Sequence, residues 1–240
     1  IRAAARGPRS DRISASSRTA DMLPVYVRID FAQGGAADAI EQIARRLEQE
    51  IAGLGLEAPV RESGESLWRW LHRKDFEIWT ADNRLLAPVL VLDQFEEVFS
   101  RSGGTPERVG AVFDALADLA ENRITEEVAA DRHHGEKLDT LSQRYRMLLS
   151  FREDFLPELR TWERKLPSLL RHDLRLEPMA LDQAEQAVAL AGAAILAPGA
   201  ARAIVEFVGG LGSDMRRGTP TIEPALLSLT CTQLNRRREG

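Results

Sequence analysis

Residues 88–99 read PVLVLDQFEEVF, Pro88 to Phe99, and the fold turns on them. Val89, Leu90, Val91 and Leu92 form an apolar run without polar alternation, which predicts a strand buried on both faces, as in a parallel sheet. Asp93 ends the run, and Glu96 and Glu97 follow within four positions. Open α/β sheets place their ligands at the carboxyl ends of their strands. One carboxylate there suits Mg²⁺, and a second suits the orientation of an attacking water. The stretch points to a nucleotide-hydrolysing domain.

Outward from this run, strands and helices alternate. Val25 to Phe31 (VYVRIDF) predicts a β-branched, aromatic strand that ends in Gly34-Gly35. Ala36 to Ile51 carries Ile40, Ile43, Leu47 and Ile51 at helical spacing. An aromatic helix is expected over Ser66 to Trp79, with Trp68, Leu71, His72, Asp75 and Trp79 on one stripe, and an amphipathic helix over Pro106 to Arg123. Tyr145 to Phe151 (YRMLLSF) predicts a third strand and Leu174 to Leu176 a short fourth. Beyond Leu181 the pattern is helical: 181–196, 200–208 and 223–235, with a Gly-rich loop at 209–218. The expected organisation is a basic leader (1–22), an α/β core with a parallel sheet (23–178) and a small all-helical lid (179–240).

Bulk properties restrict the partners. The chain has 240 residues and a formal net charge of −5, so nothing global favours nucleic acid or an anionic membrane. Basic residues cluster at the ends, as Arg2, Arg6, Arg9, Arg12 and Arg18 against Asp11 alone, and as Arg236, Arg237 and Arg238. The single cysteine, Cys231, excludes an internal disulfide and fits a reducing, cytoplasmic compartment. The longest uncharged stretch, 187–201, is too short for a bilayer and is interrupted by Pro198-Gly199.

Two further motifs carry chemistry. The third strand runs into Arg152-Glu153-Asp154-Phe155. An arginine at that strand end stays charged and can bind a terminal phosphate bidentately; the plainer reading is an ion pair that caps a turn. Ile222-Glu223-Pro224-Ala225 places proline at the first turn of a helix, where its missing N–H costs nothing.

SLWRWLHRKDFEIW, PVLVLDQFEEVFS, LLSFREDFLPEL and IEPALLSLTCTQLNRRR, in this order, resemble the bacterial novel STAND NTPases, signalling ATPases of the AAA-related P-loop class. The resemblance covers roughly Leu23 to Arg238. It implies a P-loop NTPase-like sheet and an ATP-driven switch that self-associates and drives effector or sensor domains elsewhere in the same protein. By the same resemblance Asp93 matches the Walker B acid that holds Mg²⁺ through water, and either Glu96 or Glu97 matches the acid that orients the attacking water. Arg152 would be the sensor arginine and Pro224 the lid proline beside adenine.

One departure is large. A GxxxxGK[ST] loop is needed to hold the phosphates, and the sequence contains none. The resemblance places that loop ahead of VYVRIDF, where Ile1 to Asp21 hold one glycine, Gly7, and no lysine. The P-loop strand of such a sheet is therefore expected to be missing, and the loop to lie upstream in a longer protein. Two alternatives follow: a non-catalytic regulatory or protein-interaction module that retains the fold, and a nucleic-acid-binding domain using the terminal arginines. The acidic balance argues against the last. His133-His134 with Asp131 and Glu136 reads as a polar loop rather than a metal site, and Gly209-Gly210 with Gly212 as a helix cap.

Overall fold

A computed structural model describes residues 20–31, 35–101, 105–131, 133–169, 171–177, 179–210 and 221–239. The leader to Thr19, Gly34, Gly212 and the rest of the 211–220 loop lie outside these residues. Two compact units divide the chain, the first ending at Asp173 and the second starting at Leu174.

The first unit is an α/β layer built on a parallel sheet. Strand β1 (Asp21–Val27) buries Leu23, Val25 and Val27 and exposes the intervening residues. It starts and ends four residues earlier than the sequence pattern predicts, and Ile29 and Phe31 beyond it are buried in coil. Helix α1 (Ala36–Gly53) begins where the Asp38 carboxylate accepts the Gly35 N–H at 2.7 Å, and it buries Ala39, Ile43, Ala44 and Leu47. The expected long aromatic helix is instead a short α2 (Leu67–Leu71) followed by strand β2 (Ile78–Trp79). Trp68, Leu71 and Trp79 are still core residues. The helical stripe fails because His72 ends the helix: its ring is buried, stacked on Trp68 with centroids 3.8 Å apart. His72 Nδ1 lies 2.7 Å from the Trp68 carbonyl oxygen and Nε2 2.6 Å from Asn122 Oδ1.

Strand β3 (Leu85–Leu92) is the middle of the sheet. It runs parallel to β1 over Asp21↔Leu86 to Val27↔Leu92, and antiparallel to β2 through Leu86 and Leu85. Short helices α3 (Glu97–Arg101), α5 (Glu126–Ala130) and α6 (His134–Lys137) and the longer α4 (Pro106–Ala120) separate it from β4 (Arg146–Leu149). Strand β4 is parallel to β3 over Val89↔Arg146 to Leu92↔Leu149. The expectation for β3 is only half met: Pro88, Leu90 and Leu92 are buried, whereas Val89 and Val91 are half-exposed. The neighbours of Val91 in register, Tyr26 on β1 and Leu148 on β4, are 63% and 50% exposed. Helices α1 and α4 pack together on the opposite, buried side of the sheet, and among the described residues the Tyr26–Val91–Leu148 face is left open.

Arg61 fastens the loop after α1 back onto that helix. Its guanidinium donates bidentately to Glu41 at 2.8 and 2.8 Å and to Glu48 at 3.0 Å. The Arg61 hydrogen bonds hold the Glu41 carboxyl down from 4.5 to about 2, against the opposing effect of burial. A carboxyl lowered on folding stabilises the fold above its unfolded value and loses that contribution as pH falls through its folded value. The urea midpoint of the chain should therefore drop between pH 4.5 and pH 2, and Arg61→Met should flatten this part of the profile. Because Glu41 is 37% exposed, solvent screening limits the effect to about 1 kcal/mol.

After β4 comes a 3₁₀ turn (Glu153–Phe155) and α7 (Leu156–Arg160). The predicted fourth strand at 174–176 does not form; Leu174 and Leu176 are exposed coil. The second unit instead holds a two-stranded antiparallel ribbon, β5 (Met179–Ala180) with β6 (Thr221–Ile222), beside α8 (Leu181–Ala191), α9 (Ala200–Val208) and α10 (Pro224–Glu239). It is mainly helical rather than wholly so. Its core is Ala184, Val188, Val205, Ile222 and Leu227, with Cys231 half-buried against it.

Candidate functional site

The parallel register sets Val27, Leu92 and Leu149 in one row, so three strands end side by side. Backbone hydrogen bonds join the segments that leave them. Asp93 N–H donates to the Val27 carbonyl, Ser150 N–H to that of Leu92, and Phe95 N–H to that of Ser150, each at 2.9 Å. Arg28, Asp93 and the Ser150–Arg152 segment thus emerge at the same edge. The Gln42 side chain of α1 braces the β1 exit by pairing with the Asp30 backbone at 2.7 and 3.1 Å.

The turn after Asp93 is sharp. Gln94 has φ +53°, a left-handed conformation that costs a non-glycine residue roughly 1–3 kcal/mol. The bend reverses the chain so that Phe95 enters the core, where its ring meets Phe31 and Phe113 edge-on at 6.0 and 5.6 Å. Helix α3 then starts at Glu97. The apolar residues of DQFEEVF are anchors, and the acids lie around them.

Each acid has a different environment. Asp93 is exposed, and among the described residues nothing hydrogen-bonds to its carboxylate. Glu97 accepts from Arg28 Nη2 at 2.5 Å, with 14% of its side chain exposed. Glu96 is half-buried, and its Oε2 is shut off from solvent with no hydrogen-bond donor. Arg28 is held in its charged form first by the Glu97 hydrogen bond and then by the nearby Glu97, Asp93 and Glu96 charges.

Arg152 follows β4 by three residues. Its Nη2 donates to Asp154 at 2.7 Å and its guanidinium lies 5.8 Å from the Phe155 ring centroid. The side chain remains 69% exposed. The Phe155 ring stacks on Phe99 of α3 at 6.1 Å and 7°, tying the arginine turn to the acidic segment. Pro224 opens α10 in the second unit, the helix-starting position the sequence anticipates.

The sequence reading missed Arg28. Its signal was present: one arginine inside VYVRIDF, at the point where an apolar strand gives out. His133 Nδ1 sits 3.3 Å from Glu136 Oε1 with both side chains exposed, and among the described residues no three metal-ligating groups converge. Gly210 takes φ +65° just after α9, as a cap does, and Arg236, Arg237 and Arg238 lie on the last turns of α10. Among the described residues no helix is long and apolar enough to cross a membrane.

An independent comparison agrees with this architecture. The family model described as Novel STAND NTPase 1 matches residues 27–206, most of the chain. No curated protein and no solved structure matches it.

Proposed function

The chain belongs to the novel STAND NTPase family, and from that membership we propose that it supplies the magnesium, water and sensor half of an ATP-driven signalling switch. The observation that carries this reading is the row formed by Val27, Leu92 and Leu149, which delivers Asp93 and the Arg152 turn to one edge of a parallel sheet. A ligand bound at that edge meets both.

The residues present fit Mg²⁺. The ion prefers one or two carboxylates together with phosphate oxygens and waters, and the Asp93 carboxylate is exposed and without a hydrogen-bond partner among the described residues. Asp93 would hold it through water, and the ion would offset charge on the phosphates when bound. Glu96 or Glu97 orients the attacking water. Arg152 meets the terminal phosphate by giving up an exposed pair with Asp154, which costs little because such pairs contribute about 0–1 kcal/mol. Pro224, which opens α10, is the proline assigned to adenine by the family resemblance. ATP binding then drives self-association and regulates an effector domain in the same protein.

The phosphate-gripping loop has to come from outside these 240 residues, since no GxxxxGK[ST] segment occurs in them. That absence also supports a second reading, a regulatory module that keeps the fold without hydrolysis. Titration calorimetry separates the two. The 240-residue chain with Mg-ATP should show no micromolar binding, whereas a protein carrying a GxxxxGK[ST] segment ahead of residue 1 should bind and turn over ATP. Micromolar binding by the 240 residues alone would overturn the divided-site reading, and a loop-bearing protein without turnover would favour the regulatory module.

A further inference from the structure

The two glutamates of DQFEE are adjacent in sequence but are not equivalent in space. Glu97 is committed: Arg28, fixed at the exit of β1, donates to it at 2.5 Å. A carboxylate held by a guanidinium at that distance has its lone pair engaged and its side chain pinned. Glu96 is the reverse. Its Oε2 is screened from solvent and receives no hydrogen bond. A shielded polar atom left unpaired destabilises a fold, and such groups persist where function needs them.

Asp93 lies three positions before Glu96, across a left-handed turn at Gln94, and the charges of both act on Arg28 at the exit of β1. The charges that favour the Arg28 cation come from this cluster: Glu97, Asp93 and Glu96. Arg28 thus lies near all three acids, and its hydrogen bond goes to Glu97.

We propose that Arg28 sorts the two acids, holding Glu97 as a counter-ion so that Glu96 is the one left to orient the attacking water. This rests on the ATPase reading above and deepens it. Arg28 and Glu97 are positioning residues, and Glu96 is the catalytic one.

The test uses the loop-bearing protein for turnover and the 240-residue chain for stability. Glu96→Gln should lower ATP turnover by about 100-fold or more, the loss expected for a general base, while nucleotide affinity changes little. Glu97→Gln and Arg28→Met should each lower turnover less than about 10-fold, and the exchange Arg28→Glu with Glu97→Arg should recover most of it. Stability should move the other way. Glu96→Gln should raise the urea midpoint by removing a shielded negative charge from beside two other acids, whereas Glu97→Gln and Arg28→Met should lower it. A large turnover loss at Glu97→Gln with Glu96→Gln active would overturn the assignment, as would a fall in the Glu96→Gln midpoint. If wild-type turnover is absent or indifferent to Asp93→Asn, the ATPase reading itself fails, an outcome distinct from either.

Discussion

Asp93→Asn should lower Mg-dependent ATP hydrolysis by about 100-fold or more in the loop-bearing protein, while the far-UV circular dichroism stays unchanged. A bound metal contributes several kcal/mol to the stabilisation of charge in phosphoryl transfer, and each 1.36 kcal/mol is a factor of ten in rate, about 3 kcal/mol giving the stated loss. Asparagine keeps the shape of aspartate and removes the charge proposed to hold the ion. The fold should tolerate it because the Asp93 side chain is exposed and supports no hydrogen bond among the described residues. Only its backbone is structural, through the bond from its N–H to Val27. Removing one of three clustered acids also relieves repulsion, so the urea midpoint should hold or rise slightly. Unchanged turnover would remove Asp93 from the mechanism.

Phe95→Ala should cost about 3–5 kcal/mol in urea unfolding, the range for truncating a buried aromatic. Against a total domain stability of about 5–15 kcal/mol, that is enough to unfold a large share of the molecules in a marginal case. Phe95 is 1% exposed and links Phe31, beyond β1, to Phe113 on α4. Phe113 in turn stacks on Trp162 at 5.1 Å. Removing the ring opens a cavity at the centre of this aromatic line and releases the anchor that forces Gln94 into its left-handed turn. Phe95→Leu refills most of the volume and should cost less than half as much. A loss below 1 kcal/mol for the alanine variant would show that the turn is held by its backbone bonds alone.

The sequence disclosed the parallel sheet because its strands are apolar and end in punctuation. Val25, Leu90 and Leu92 are buried where an α/β reading puts them, and α9 runs over the very residues 200–208 that its pattern marks. Other features escaped for physical reasons. Ser66 to Trp79 has helical spacing throughout, yet the buried ring of His72 satisfies both its nitrogens by closing the helix there, a tertiary effect invisible to periodicity. Val89 and Val91 are as apolar as Leu90, but composition does not reveal which side of a sheet has a neighbour. At the site, Asp93 and Arg152 were legible as residues at strand ends. The pairing of Arg28 with Glu97 was not, because it depends on β1 lying beside β3, a relation 69 positions apart in sequence.

The division into two units with separate cores has a spectroscopic consequence. All four tryptophans, Trp68, Trp70, Trp79 and Trp162, and both tyrosines, Tyr26 and Tyr145, belong to the first unit. The second unit rests on a core of five buried residues among those described, with no tryptophan or tyrosine in its sequence. So small a core melts easily. Near-ultraviolet fluorescence will therefore follow the sheet and be blind to the helices after it, while a heat-capacity trace records both. The two probes should give different midpoints for the same molecule, and the gap between them measures how far the sheet outlasts the helices of the second unit.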